Sequence, residues 1–257
     1  MHSFRTLSIV LTLIGLTGLA YAEDGTSIMS KVADRPSPKS TAVKMQMTLT
    51  QQRAGKTETE ARALQVLSKE TGDGARMVMK FAEPADIKGV GFLAIENKGG
   101  DDDMWLYMPA LKRVTRISAA KKSENFMGTD FTYADLEAPD AKQADHKLLR
   151  EEQAGGFDTW VIESTPKAGS SLNYAKIVNW IRKDNYIPVQ AEFYDKGGKL
   201  LKKMFVEGLE QQGKYWIPKK TRMENVQSLH ATLLEIVEQK TDVPIEDKYF
   251  TERYLQQ

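Results

Sequence analysis

The chain has 257 residues, with 36 Lys and Arg set against 35 Asp and Glu, and no cysteine. A charge so near zero argues against a nucleic-acid binder, which needs a basic excess. The lack of thiols excludes disulfides, a cysteine nucleophile and a lipid anchored at cysteine, so the fold must rest on its core.

Residues 1–22 read as an export signal. Arg5 gives a positive start, Leu7 to Leu19 is an apolar run, and Ala20-Tyr21-Ala22 is a small-x-small site that predicts cleavage after Ala22. The run is too short for a good membrane span. Residues 23–257 are long enough to bury roughly 70% of their unfolded surface and are read as one β-rich domain.

Asp24 to Asp34 predicts a short helix, capped by Asp24 or Thr26 and striped by Ile28, Met29 and Val32. After Pro36-Ser37-Pro38, Thr41 to Gln52 alternates cleanly, with Val43, Met45, Met47 and Leu49 on a dry face. A turn at Arg53 to Lys56 leads to a less regular strand, Ala61 to Ser68, marked by Ala63 and Leu67. A second turn, Thr71 to Gly74, precedes Arg76 to Phe81, where Met77, Met79 and Phe81 oppose Arg76, Val78 and Lys80. These strands predict an antiparallel meander. Four methionines share its dry face, and methionine suits surfaces that accept variable apolar shapes.

Pro84 to Gly91 is a bend and Phe92 to Ile95 a short buried strand. Met104 to Met108 follows an acidic turn, Asp101-Asp102-Asp103, and is five apolar residues long, which predicts a central strand covered on both faces. Trp105 and Tyr107 point one way; Met104, Leu106 and Met108 point the other. Beyond Pro109 comes a charged strand, Lys112 to Ile117, then a polar loop, Ser118 to Asn125, expected to be mobile. Phe126, Phe131 and Tyr133 next place three aromatics within eight residues, with Thr129 or Asp130 able to cap a short helix. This segment reads either as a lid over something apolar or as a plug at one end of the core.

The second half repeats the style. Strands are expected at Lys147–Arg150, Thr159–Ser164, Ala175–Arg182, Pro188–Tyr194, Leu200–Glu207, Lys214–Pro218, Thr221–Asn225 and His230–Val237, separated by glycine and Asp-Asn turns. Pro244 to Leu255 closes the chain, its aromatics tucked back onto the sheet. The fold class is mainly β (α+β), a single large antiparallel sheet.

No catalytic residue, metal ligand set or cofactor motif stands out. The histidines are His2, His146 and His230, and their spacing gives no zinc pattern. Asp101 to Asp103 lacks the alternation of a calcium loop. Basic clusters at Lys112-Arg113 with Arg116, Lys121-Lys122, Lys202-Lys203 and Lys219-Lys220 read as solvated strand faces, or as one rim meeting anionic headgroups or an acidic protein.

Two stretches, Asp103-Met104-Trp105-Leu106-Tyr107-Met108-Pro109-Ala110-Leu111-Lys112-Arg113-Val114-Thr115-Arg116-Ile117 and Phe126-Met127-Gly128-Thr129-Asp130-Phe131-Thr132-Tyr133-Ala134-Asp135-Leu136, resemble the LolA-like outer-membrane lipoprotein-sorting proteins in their longer periplasmic form. The resemblance implies an unclosed β-barrel of LolA/LolB type with short lid helices. It implies a non-enzymatic periplasmic carrier of lipid or lipoprotein acyl chains between inner and outer membrane, with only transient membrane contact and no cofactor. The cavity residues expected on this basis are Met45, Met47, Met77, Met79, Phe81, Met104, Leu106 and Met108, under a lid bearing Phe126, Phe131 and Tyr133. The alternative is a periplasmic sensor or accessory subunit of an efflux-type inner-membrane transporter.

Overall fold

Thirteen strands, most of them alternating apolar and polar side chains, form one antiparallel sheet in the computed structural model. Residues 23–137 and 140–257 are described, so the export signal expected at 1–22 lies outside the described residues. Helix α1 (Gly25–Ala33) starts at Asp24, whose carboxylate accepts from the Ser27 N–H. The first meander is β1 (Ser40–Arg53), β2 (Lys56–Thr71), β3 (Gly74–Glu83), β4 (Gly91–Ile95), β5 (Asp103–Met108) and β6 (Arg113–Arg116). The second is β7 (Ala144–Ala154), β8 (Phe157–Pro166), β9 (Lys176–Arg182), β10 (Pro188–Tyr194), β11 (Leu200–Gln212), β12 (Tyr215–Asn225) and β13 (His230–Thr241), and α2 (Glu252–Leu255) follows.

β1 pairs with both β2 and β13, which fuses the meanders into the order β6-β5-β4-β3-β2-β1-β13-β12-β11-β10-β9-β8-β7. β6 and β7 are edges that do not pair, so the sheet stays open. The segment between them, described over 117–137 and 140–143, crosses one face. Phe126 packs on Phe92 of β4, while the Asp130 carbonyl accepts from Lys202 of β11. Leu136 of the segment and Leu234 of β13 pack in the clusters of both halves, so the sheet curls around the segment, as a large twisted sheet tends to do.

Register carries the enclosed face across the whole sheet. Met47 opposes Leu234, Thr232 opposes Met223, Met223 opposes Met204, and Phe193 opposes both Lys202 and Ile177. Helix α1 covers the β7–β9 end of this same face, with Ile28 against Ile162 and Ile181. The contact is a backbone one: a Cβ on Gly25 would lie 2.8 Å from main-chain atoms of His146 and Leu148. Gly25→Ala is expected to cost about 1–3 kcal/mol through this overlap, measured by chemical denaturation; an unchanged midpoint would mean that α1 docks only through Ile28. The outer face of β2–β5 is closed by the chain terminus, where Ile245, Phe250 and Leu255 pack on Val78 and Leu93.

Several elements depart from the expected pattern. The apolar strand β5 is second from an edge, not central; Trp105 and Tyr107 are covered by the C-terminal tail instead. The same tail buries Val78, which alternation had assigned to the polar face. In β2 the enclosed residues are Arg62, Leu64 and Val66, whereas Leu67 faces outward to the tail. Pro218 does not split two strands. It lies inside β12, before the stretch from Lys220 that pairs with β13, where its missing N–H costs no ladder bond to β13. The helix expected after Thr129 is a single 3₁₀ turn, Ala134–Leu136, and neither Thr129 nor Asp130 caps it.

Candidate functional site

The enclosed face of β1–β5 is an apolar wall. Met47, Leu64, Val66, Met79, Phe81, Phe92 and Met104 are buried there, with Met45, Met77 and Leu106 partly buried against them. Seven of the eight residues expected to line a cavity thus meet in one cluster, and Met108 lies just beyond it at the edge. Strand periodicity alone brings them together, since each occupies every second position of its strand. The wall continues onto the second meander through Ala191, Phe193, Met204, Met223 and Leu234. Sequence reasoning missed this half, although Ala191 and Phe193 keep the same period of two.

The lid aromatics divide between the two halves. Phe126 is 1% exposed and its ring centroid lies 5.2 Å from Phe92 and 5.6 Å from Tyr133. Phe131 instead joins Tyr174 and Phe193. Backbone bonds tie the segment to its neighbours at its two ends, Ile117 N–H to the Met104 carbonyl and Lys167 N–H to the Gln143 carbonyl; between them the described residues bond to the sheet through side chains, and their one bridge, Asn125 with Thr132, is internal.

Those side chains form a buried polar latch. Lys202, 2% exposed, donates to the Asp130 carbonyl and to Asp135 Oδ2, both at 2.8 Å. The Tyr174 hydroxyl donates to Asp135 at 2.9 Å, and burial together with the Asp135 charge pushes that phenol well above its ordinary pKa. The Asp130 carboxylate accepts from the Thr232 hydroxyl at 2.7 Å and lies 2.7 Å from His230 Nδ1. Arg62 donates to the Met127 carbonyl at 2.7 Å, and Lys122 pairs with Glu137 at 2.6 Å. Two expectations are corrected here. Lys202 and Lys122 are not solvated charges, and the polar loop at Ser118–Asn125 is pinned by the burial of Lys122. A lone Lys at an enclosed strand position gives no warning in sequence, because its partners arrive from a distant segment.

His146 lies 2.8 Å from Ser164 and 2.7 Å from the Ala141 carbonyl, so the two described histidines hold loops to the sheet. Among the described residues no three His, Asp or Glu side chains gather as a metal would require.

Two depressions flank the lid. One, of about 210 Å³, is lined by Leu106, Met108, Ile117 and Tyr133, with Arg113, Lys121 and Glu124 at its rim. The other, of about 150 Å³, is polar, with Asn125, Asn173, Asn225 and Lys202.

The open antiparallel sheet is LolA-like in its fold. A LolA superfamily protein from Nitrosomonas europaea superposes with a TM-score of 0.71 at 26% identity, over 91% of this chain and 100% of that one. An outer membrane lipoprotein-sorting protein domain from Vibrio parahaemolyticus gives 0.84 at 33% identity, over 91% and 98%. A DUF1329 family protein from Desulfovibrio piger gives 0.83 at 30% identity, over 90% and 97%. A family model described as "uncharacterized protein" matches residues 73–257. The chain belongs to the DUF1329 family, with a lipoprotein-sorting type of fold. No curated protein matches it.

Proposed function

We propose that the protein is a periplasmic carrier that takes an acyl chain of lipid or lipoprotein against the enclosed face of β1–β5 when the lid swings out. One observation carries this reading: a continuous Met-, Leu- and Phe-rich wall is covered by a segment that adds no strand to the sheet and is fastened by a few polar side chains. Carriage needs that separability. Each methylene removed from water is worth roughly 0.8 kcal/mol, so a carrier must supply a comparable apolar surface and then release it. Here Phe126 and Tyr133 occupy the wall in the closed state and exchange with cargo in the loaded one. The likeness to lipoprotein-sorting domains supports the same reading, as does the export signal expected at residues 1–22.

The test is extraction and mass spectrometry of lipid from protein purified out of the exported compartment, with Leu106→Lys beside the wild type. Wild type is expected to carry near-stoichiometric acyl lipid and the variant several-fold less, with both folded by circular dichroism. Lipid-free wild type that also fails to take up a fluorescent fatty acid would overturn the reading. The tight closure of the interior, with Met104 fully buried, favours in that event a sensor or accessory subunit of an inner-membrane transporter.

A further inference from the structure

The turn joining β5 to β6 is built for contact with a surface. Pro109 to Leu111 form a 3₁₀ turn, Lys112 follows in the left-handed region at φ 48°, and its N–H donates to the Pro109 carbonyl at 3.0 Å. Pro109 also abuts the neighbouring loop at Gly89, so the turn is held in place. At its apex Leu111 is 67% exposed, the most exposed large apolar side chain described. Lys112 and Arg113 stand beside it, both exposed, and Lys121 lies across the mouth of the 210 Å³ depression.

The charges around this tip are unbalanced. Arg116 is paired with Asp103 and Lys122 with Glu137, whereas Lys112, Arg113 and Lys121 make no ion pair among the described residues. Glu124 is the one acid on the rim of the depression, and Asp86 and Lys88 of the adjoining loop cancel. An exposed leucine beside three cations and one acid, an excess of two positive charges, matches the chemistry of an anionic bilayer: headgroups for the cations, acyl boundary for the leucine. The apolar depression opens directly behind the tip, and its floor is continuous with the wall through Leu106, Ile117 and Tyr133.

We propose that the β5–β6 tip docks the protein on an anionic phospholipid surface and sets the mouth of the depression against the bilayer. The proposal rests on the carrier reading for its purpose but not for its test. Co-sedimentation with vesicles of phosphatidylglycerol and phosphatidylcholine, and with phosphatidylcholine alone, is measured for wild type, Leu111→Ser and the double variant Lys112→Asn/Arg113→Gln. Asn tolerates the left-handed conformation, and all three positions are exposed, so each variant should keep its melting temperature. Wild type is expected to sediment with the anionic vesicles only, and less in high salt. The double variant should lose about thirtyfold in apparent affinity, and Leu111→Ser should also bind more weakly. Unchanged sedimentation of the variants would overturn the proposal. So would a wild type that ignores both vesicle types, in which case the tip meets a protein. Fatty-acid binding in vesicle-free solution is read separately; its failure would end the carrier reading and leave a membrane-docking tip standing.

Discussion

Replacing Lys202 by Met is expected to lower the stability of the protein by about 3–5 kcal/mol, the usual cost of breaking a buried ion pair from one side. For a chain of this length that corresponds to a fall in melting temperature of roughly 10 °C. The ammonium is 2% exposed and touches two parts of the lid at once, the Asp130 carbonyl and the Asp135 carboxylate. Without it, Asp135 keeps only the Tyr174 hydroxyl and the Thr132 N–H, and its charge has no counter-ion in an enclosed site. The cost should therefore shrink in the double variant Lys202→Met/Asp135→Asn, which removes the stranded charge while keeping a similar shape. Thermal and urea denaturation of the four proteins in the cycle measure this coupling. A single-variant loss below about 1 kcal/mol would show that water reaches the pair, and that this ion pair does not fasten the lid.

The reach of sequence reasoning follows from what each residue needs in order to be read. The Met wall was legible because Met45, Met47, Met77 and Met79 obey a local rule, the alternation of a strand, and the same rule placed Met104 and Leu106 with them. The open sheet was legible through turns and through two motif stretches that resemble a known family. The lid was visible as an aromatic cluster, but its conformation was not. Thr129 looked like a helix cap, yet its hydroxyl donates to the Phe126 carbonyl inside the segment, and the backbone makes 3₁₀ turns in place of a helix. The latch was invisible for a different reason. Lys202, His230 and Arg62 belong to three strands far apart in the chain, and each reads singly as an exposed polar residue. Only the closure of β1 onto β13 brings them to one face. Val78 failed similarly, since a tail more than 160 residues downstream decides whether its face is wet.

Phe126→Ala is the change that best separates a lid from a plug. The ring is 1% exposed and lies against Phe81, Phe92 and Tyr133, with centroids 5.2–6.1 Å away. Its removal leaves a cavity in the wall and is expected to cost about 3–5 kcal/mol in the ligand-free protein. If Phe126 is merely core, the loss is the whole effect, and only a small apolar molecule that fits the new cavity, such as toluene, restores any stability. If the segment is a lid, the residue also competes with cargo for the wall. Truncation then lowers the cost of opening, and a sixteen-carbon fatty acid binds the variant more tightly than it binds wild type. Thermal melts with each ligand distinguish the cases, since a ligand at a hundredfold excess over its dissociation constant adds about 2.7 kcal/mol. The expected pattern is a rise in melting temperature with the long chain for both proteins, larger in the variant. A response to toluene alone would identify residues 126–133 as a permanent part of the interior, because a long chain enters only where the segment can leave.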